Sequence, residues 1–402
     1  MSTNFDLNNP AVGIHFSASL SALGEHPEQI RDALTSFDEK LVSDQSLIFD
    51  QQVWVGAYQQ ALLDEVPASL SNFDSRNLRF ALTALRQIES QIQDYTSKFD
   101  PKRLAIIIGT STSGISANEG ALGDYFKGQD DVVIQYQRQE MGCLAKALQI
   151  YLGWKGIAYT ISTACSSSAK AMASAQRLIN ADLVDAVLVG GVDTLCKLTL
   201  NGFNSLENIS TNICLPCGNK RDGINIGEAA SFFLLSKEPA SVMLLSAGES
   251  MDAWHISAPH PEGVGAAKSM KNALDAAKLV PQQIQYLNLH GTATQHNDDM
   301  EIKAVRQIFQ DYRVPLSSTK HKTGHCLGAA GALEAYICIQ LLQGDKDWLP
   351  LHHAGEIDPS LDDQNYVDMD DQISSEPIQF VMSNSFAFGG SNISLIFGNK
   401  VP

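Results

Sequence analysis

The chain has 402 residues, of which 44% are hydrophobic and 18% are charged, with a formal net charge of −17. This composition is typical of a folded globular protein and excludes a disordered chain. The acidic balance argues against nucleic acid and anionic membranes as main partners. Seven scattered cysteines, an N-terminus unlike a secretory leader and the lack of a long apolar run predict reduced thiols and a cytoplasmic protein.

Short apolar runs bounded by Gly, Ser or Pro alternate with helical stretches along the chain. Because the runs are mostly continuous, they are typical of strands buried on both faces of a sheet. The predicted strands are 104–109, 157–164, 186–191, 230–235, 242–247, 285–290, 315–320, 378–384 and 392–397, and the predicted helices are 166–183, 266–278 and 329–343. This alternation predicts an α/β fold with a parallel or mixed sheet. The weakest division lies near 238–241, so we predict two halves, 1–240 and 241–402, in one body.

Cys165 is the first chemical candidate, in the segment STACSSS at 162–168, where a predicted strand ends and a helix begins. The free N–H groups and dipole of a helix N-terminus favour the nucleophilic thiolate. The backbone N–H of the same residue can face an oxyanion on an attached thioester. A buried structural cysteine is the plain alternative. The pair Cys214 and Cys217 lacks a second pair to close a zinc site, so we interpret it as a loop.

His290 and His325 each lie at the carboxyl end of a predicted strand, where open α/β sheets place their ligands. Neutral imidazoles there can donate N–H bonds to a thioester oxygen or an enolate. The alternative for each is an ordinary structural or exposed histidine. His296, Asp298 and Asp299 lie close to His290 in sequence, but they lack the short, rigid spacing of a zinc site, and we predict no metal.

A last glycine-rich segment, NSFAFGGSN at 384–392, lies between two predicted strands. Its plain interpretation is a tight hairpin turn. Gly389 and Gly390 would also let the backbone approach a ligand closely.

Together these segments resemble the β-ketoacyl carrier-protein synthases, the elongating branch of the thiolase-fold condensing enzymes. The matching segments, in the family's order, are STACSSS at 162–168, RDGINIGEAA at 221–230, HGTAT at 290–294, STKHKTGHCLGAAGALEA at 318–335 and NSFAFGGSN at 384–392. The resemblance runs from about residue 104 to the end. It implies a thiolase-like, five-layered αβαβα body of two similar halves, usually a homodimer.

The resemblance also implies the reaction. Cys165 takes an acyl group from a carrier-protein thioester, and a malonyl-carrier protein then loses CO₂. The resulting carbanion attacks the acyl-enzyme and gives a 3-oxoacyl-carrier protein, as in fatty-acid or polyketide elongation. We expect no cofactor of the enzyme's own, because phosphopantetheine arrives on the acyl carrier protein. The expected partners are that carrier protein and an identical or related synthase subunit.

The family's motifs assign expected roles to particular residues. His290 and His325 would assist decarboxylation and stabilise the enolate, with Lys320 supporting His325. The N–H groups of Cys165 and Phe388 match the oxyanion hole, and Phe388 also matches the gating phenylalanine.

Five further residues match supporting positions of the family. Glu334 matches the acidic partner of the lysine, and Asp298 and Glu301 match acidic positions behind the site. Thr292 and Thr294 match the residues that hold the pantetheine arm.

Several segments depart from the family's pattern. The N-terminus lacks the usual Val-rich strand running into Thr-Gly, and LPCG at 215–218 replaces a common Arg-Pro-Phe-Asp. Ala387 replaces a glycine of the gating loop, which we expect to stiffen it. The segment 210–212 lacks the basic residue that often follows and helps to dock carrier protein. These departures favour a specialised synthase, such as one of a polyketide or aryl-polyene pathway.

Other protein classes make different demands on the sequence. A non-catalytic chain-length factor typically lacks the nucleophile, whereas Cys165, His290 and His325 are all present. A degradative thiolase needs a second catalytic cysteine in a Cys-Gly-Gly setting, and Cys338 lies within a predicted helix. An initiating synthase pairs its cysteine with His and Asn. A pure carrier-protein-binding scaffold stays open as an alternative.

An acidic carrier protein needs a local basic surface on an acidic enzyme. Arg76 and Arg79 are the first candidates, with Lys220 and Arg221 after them. The alternative is that these are ordinary solvated charges.

Overall fold

The structure is a computed structural model that describes residues 10–344, 348–370 and 377–401. Its strands are β1 (Val12–Ser21), β2 (Val42–Ile48), β3 (Gln51–Val55), β4 (Leu104–Gly109), β5 (Ala158–Ile161), β6 (Ala186–Asp193), β7 (Ala229–Ser236), β8 (Val242–Met251), β9 (Tyr286–Asn288), β10 (Pro315–Ser317), β11 (Asn365–Tyr366), β12 (Phe380–Phe386) and β13 (Ser391–Gly398). All nine predicted strands are therefore present, with ends shifted by a few residues.

The helices alternate with these strands. They are α1 (Pro27–Leu34), α2 (Arg76–Arg86), α3 (Glu89–Thr96), α4 (Ser116–Phe126), α5 (Tyr136–Gln139), α6 (Cys143–Leu152), α7 (Ser167–Asn180), α8 (Lys197–Ser205), α9 (Val264–Ala277), α10 (Gln295–Phe309), α11 (Lys320–Thr323) and α12 (Ala330–Gln343). The three predicted helices correspond to α7, α9 and α12. Within the described residues, none of the helices is both long and apolar enough to cross a bilayer.

Eleven strands form two similar half-sheets joined by β1, and β2 and β3 pair separately with each other. The strand order is β11-β10-β9-β12-β13-β8-β1-β7-β6-β4-β5, and β1 is antiparallel to both β7 and β8. Strand β4 lies parallel to β5 and β6, and β9 lies parallel to β10 and β12. Each half thus has parallel strands on its outer side and antiparallel strands towards β1.

The helices form three layers around the half-sheets. Helices α7 and α12 pack against each other and touch strands of both halves, including β6, β7 and β13. Helices α2 and α6 cover the outer face of one half, and α9 covers the other, with α10 packed on α9. Separate apolar clusters fill the central layer and the two outer layers. The predicted thiolase-like αβαβα fold is confirmed.

A strand opens the fold even though the sequence lacks the family's usual Val-rich start. In β1 the apolar side chains of Val12, Ile14 and Leu20 are buried. The buried hydroxyls are satisfied as well, since Ser19 Oγ lies 2.7 Å from Ser231 Oγ of β7. Pairing on both edges thus stabilises a strand whose own composition is weak.

The central helix α7 lies unusually close to the strand beneath it. A Cβ on Gly109, the last residue of β4, would lie 2.3 Å from the backbone nitrogen of Ser168. A Cβ on Gly191 of β6 would lie 2.6 Å from the Cβ of Ser168. These glycines therefore let the start of α7 lie directly on the sheet.

We predict that Gly109→Ala destabilises the protein by about 3 kcal/mol, the upper range for overpacking a buried site. Gly120→Ala is the matched control, since a Cβ there in α4 would meet nothing within 4 Å. Ala is the better helix former, so the control should gain up to about 1 kcal/mol. Urea unfolding measures both variants, and equal stability of the two would contradict the close approach.

Candidate active site

Cys165 lies in a tight turn between β5 and α7. Ala164, just before it, has a positive φ of 51°. The hydroxyl of Ser167 accepts the N–H of Thr163 at 2.9 Å and donates to the carbonyl of Ala164 at 2.5 Å. The turn is therefore fixed by the first residue of α7, and it presents Cys165 at the helix N-terminus, as predicted from the sequence.

The two histidines lie beside this thiol. His325 Nε2 is 3.0 Å from Cys165 Sγ, and the rings of His290 and His325 have centroids 5.3 Å apart. The backbone of His325 is held on both sides, because its N–H donates to Asn225 and its carbonyl accepts from Gly227. The structure thus brings together three residues that lie far apart in sequence.

Lys320 lies behind the histidines and is almost completely buried. Its ammonium donates to the Glu334 carboxylate and to the backbone carbonyl of His290, at 2.5 Å in the second case. Glu334 is therefore its acidic partner, as expected. The hydrogen bond goes to His290 rather than to His325, and Lys320 acts on His325 through its charge.

Burial is the main influence on the pKa values of Cys165, His290 and His325. It lowers the pKa of both His290 and His325 well below the usual value, and the Lys320 ammonium lowers both further. Burial also raises the pKa of Cys165 to about 12, although Lys320 and nearby N–H groups oppose it. The expectation of a thiolate at the helix N-terminus is therefore wrong for the resting site, which holds a neutral thiol and neutral imidazoles.

The backbone N–H groups of Cys165 and Phe388 both interact with the thiol. Phe388 opens a short turn between β12 and β13, in which Gly389 and Gly390 have φ angles of 81° and 80°. The Gly389 N–H donates to the carbonyl of Ile256 at 2.7 Å, which fastens this turn to a neighbouring segment. The predicted hairpin therefore supplies one of the two predicted N–H donors, Phe388, and the turn before α7 supplies the other, Cys165.

Two buried carboxylates on α10 shape the loop that follows β9. Glu301 accepts the N–H groups of His290 and Gly291 at 2.8 and 2.7 Å, and Asp298 accepts the N–H of Thr292 at 3.0 Å. Burial raises the pKa of both, that of Glu301 to about 7. These acidic positions behind the site therefore hold the loop that presents His290.

A cavity of about 270 Å³ leads to the thiol. Thr292 and Thr294 lie on its wall, with their hydroxyl oxygens 2.9 Å apart. Phe388 also lines the cavity, and its ring centroid lies 5.8 Å from that of Phe203. The wall thus combines apolar rings with hydroxyl, amide and charged side chains, which suits a polar, amide-bearing chain with an acyl end.

The acidic residues that lie near His290 in sequence do not gather around it. Asp298 is occupied by backbone N–H groups, and Asp299 pairs with Arg221 at 2.5 Å. In the described residues, one set of side chains has potential ligand atoms close enough to share a metal, namely Cys165, His290 and His325, within 4.8 Å. A closed zinc site needs four ligands, and a buried ammonium beside these three opposes a divalent cation.

The Cys214 and Cys217 pair supports the site from behind. Both thiols are buried, and their backbone N–H groups donate to the side chains of Asn225 and Asp298 at 2.7 Å. This agrees with the loop interpretation.

Three of the four proposed docking residues are engaged within the chain. Arg76 pairs with the buried Glu228 at 2.5 Å, and Arg79 binds Asp74 with two nitrogens. Arg221 pairs with both Asp299 and Asp358 on the wall of the cavity. Lys220 is exposed.

Sequence reasoning missed several residues of the site. Asn225, in the matched segment RDGINIGEAA, is buried and receives the N–H of His325 at its carbonyl, at 2.6 Å. Phe386 packs its ring 6.2 Å from that of His290. Phe203 and Glu207, at the end of α8, line the cavity. The first two lie in matched segments that could have signalled them, whereas α8 carries no such pattern.

Comparison with known proteins matches residues 58–240 to the family described as Beta-ketoacyl synthase, N-terminal domain, and residues 241–353 to its C-terminal domain. The chain is 31% identical over 341 residues to 3-oxoacyl-[acyl-carrier-protein] synthase 2 of Staphylococcus aureus, covering 80% of this chain and 83% of that protein. It is 30% identical over 327 residues to the chloroplastic synthase II of Arabidopsis thaliana, covering 75% and 58%.

A solved structure of a ketosynthase (ApeO) in complex with its chain length factor (ApeC), from Xenorhabdus doucetiae, is similar throughout. It matches with a TM-score of 0.91 and 40% sequence identity, over 99% of this chain and 100% of that chain. The similarity therefore spans both half-sheets and the site between them.

Iodoacetamide reacts with the thiolate, so its rate reports the ionisation of Cys165. Because burial raises the pKa of this thiol to about 12, we expect its alkylation rate to rise about tenfold per pH unit between about pH 7 and 10. Peptide mass spectrometry locates the label, with Cys165→Ala as the control for the other cysteines. A rate that levels off below about pH 9 would contradict a neutral resting thiol.

Proposed function

Since this chain belongs to the β-ketoacyl synthase family, we propose that it catalyses decarboxylative Claisen condensation of an acyl thioester with a malonyl-carrier protein. The product is a 3-oxoacyl-carrier protein. The observation that carries the proposal is the contact of His325 Nε2 with Cys165 Sγ at 3.0 Å, beside a second neutral imidazole and two backbone N–H donors.

In the first step Cys165 takes the acyl group. Its sulfur forms a bond to the thioester carbonyl carbon, and the N–H groups of Cys165 and Phe388 stabilise the oxyanion. The carrier thiolate then leaves and takes up the proton that Cys165 has lost. His325 lies within reach to relay this proton.

In the second step the malonyl thioester loses CO₂. The breaking carbon–carbon bond leaves its electron pair in an enolate, whose oxygen accepts N–H bonds from His290 and His325. In the described residues the Nδ1 atoms of both rings have no hydrogen-bond partner, so the protein fixes neither tautomer. Each ring can therefore accept a proton in one step and donate a hydrogen bond in another.

In the third step the enolate carbon attacks the acyl-enzyme carbonyl. The new carbon–carbon bond forms and the C–S bond to Cys165 breaks, and the departing thiolate takes up a proton from water through His325, which restores the neutral thiol. The two N–H groups that served acylation now stabilise the second oxyanion. The oxyanion and enolate charges thus develop at positions where N–H donors are already in place. These donors therefore stabilise the transition states more than the neutral ground state.

The acyl groups arrive on a carrier protein, and the enzyme needs no cofactor of its own. The hydroxyls of Thr292 and Thr294 on the cavity wall suit the amides of a pantetheine arm. The Staphylococcus aureus relative is named for an acyl-carrier protein, which supports this partner. The complete set of Cys165, His290 and His325 favours an enzyme over a chain-length-factor-like subunit.

A second synthase subunit is the other partner that we propose. Within the part of the chain that the structure describes, β5 ends the sheet and one of its edges pairs with no other strand, and the exposed Ile157 directly precedes it. The similar ApeO structure is a complex with a chain length factor. These observations support pairing with an identical or a related subunit, and the similarity to ApeO favours a specialised elongation pathway.

The reaction is tested with purified chain, an acyl-carrier protein and malonyl-carrier protein. We expect a 3-oxoacyl product from the wild type and none from Cys165→Ala. Cys165→Gln should still release CO₂ from malonyl-carrier protein, because a neutral amide resembles the acylated site. Adding His290→Ala to that variant should lower CO₂ release by about 10² to 10³, the usual loss of one oriented donor. CO₂ release unchanged by His290→Ala would contradict the role of that histidine.

The subunit interface is tested at the edge of β5. Ile157→Glu places a charge there and should shift the protein from dimer to monomer, as measured by light scattering. Val280→Glu, on an exposed residue between α9 and β9, is the control and should stay dimeric. Wild type and variants are measured alone and with a co-expressed related subunit, and an Ile157→Glu variant that pairs like the wild type would contradict this interface.

A further inference from the structure

Asp193, the last residue of β6, is a completely buried carboxylate outside the cavity. Its oxygens accept hydrogen bonds from the hydroxyls of Thr110 and Thr112, both at 2.7 Å. They also accept the backbone N–H groups of Ser111, Thr112 and Ala329, at 2.9, 2.7 and 3.0 Å. Five donors thus replace the water that a carboxylate loses on burial.

One group of these bonds leads to the nucleophile. Ser111 donates its N–H to Asp193 and its hydroxyl to the carbonyl of Ala164, at 3.3 Å. Ala164 has the positive φ of the turn and directly precedes Cys165. Asp193 is therefore connected by hydrogen bonds to the turn that presents the thiol, with one residue, Ser111, between them.

Another bond leads to the histidine. Ala329 lies four residues after His325 and immediately before α12. Its N–H donates to Asp193, which places a negative charge at the N-terminus of that helix, where it is favourable. A Cβ on Gly328 would lie 2.8 Å from both the Asp193 carboxylate and the Ser111 nitrogen. The loop after His325 therefore lies directly on this carboxylate.

We propose that Asp193 is a positioning residue that sets the distance between Cys165 and His325. This inference rests on the proposed condensation and names a residue that acts through the two loops rather than on substrate. A misplacement of about 1 Å between reacting groups costs on the order of 10² in rate. A carboxylate bonded to both loops opposes that misplacement from either side.

The first test is Asp193→Asn, which keeps the size of the side chain but turns an NH₂ group towards donors. We expect kcat for condensation to fall about 100-fold. The KM for acyl-carrier protein should stay within about threefold, because Thr292 and Thr294 are untouched. Glu249→Gln is the control, since Glu249 binds Lys170 and Arg177 of α7 and none of the three lines the cavity. It should lose stability without losing kcat.

Ser111→Ala is the second variant, because it removes only the hydroxyl that reaches Ala164. It should slow acylation of Cys165 about tenfold. In the Cys165→Gln background, where decarboxylation needs no acylation, it should leave CO₂ release from malonyl-carrier protein unchanged, which a general loss of folding would not do. Rescue of acylation by Ser111→Thr, which restores a hydroxyl, would support the same path.

The role of Asp193 is overturned if Asp193→Asn condenses at close to the wild-type rate, or if Glu249→Gln loses as much kcat at a similar fall in melting temperature. If Asp193→Asn does not fold, normal acylation by Ser111→Ala overturns it instead. A wild-type chain that does not condense would refute the proposed reaction itself, a result distinct from these.

Discussion

The site depends on how closely the central helices α7 and α12 approach the strands beside them. Gly109 and Gly191 leave room for the start of α7, and Gly328 leaves room for the loop before α12. Side chains at these positions would separate the layers, since interiors are packed to near crystal density. Because both helices begin at the same place, one brings Cys165 and the other brings His325 to within 3.0 Å.

Burial is the second consequence of this packing, and it determines the chemistry. The thiol and both imidazoles are neutral, while Lys320 and Glu334 form a buried ion pair behind them. Because these side chains are neutral and already shielded from water, binding a neutral acyl thioester costs little desolvation free energy. Oxyanion and enolate charges then develop opposite fixed N–H groups, whose effect is larger away from water.

Much of this could be read from the sequence, because it depended on local patterns. Continuous apolar runs marked the nine predicted strands, and the Ala-rich segment after Cys165 marked α7. The thiol's ionisation was predicted wrongly, because a helix N-terminus is visible in a sequence whereas complete burial is not. The internal pairing of Arg76 and the hydrogen bond between Asn225 and His325 also depend on residues that are far apart in the chain. The domain boundary at 240 and the site residues' individual roles stay predictions.

The central claim is that Cys165 carries the acyl group between two half-reactions. The most direct measurement is intact-protein and peptide mass spectrometry of the purified chain after incubation with an acyl-carrier protein. We predict a mass gain of one acyl group on Cys165, which persists until malonyl-carrier protein is added and is then lost as the 3-oxoacyl product forms. Product formation without an acyl group on Cys165, or an acyl-enzyme that malonyl-carrier protein does not discharge, would contradict the account.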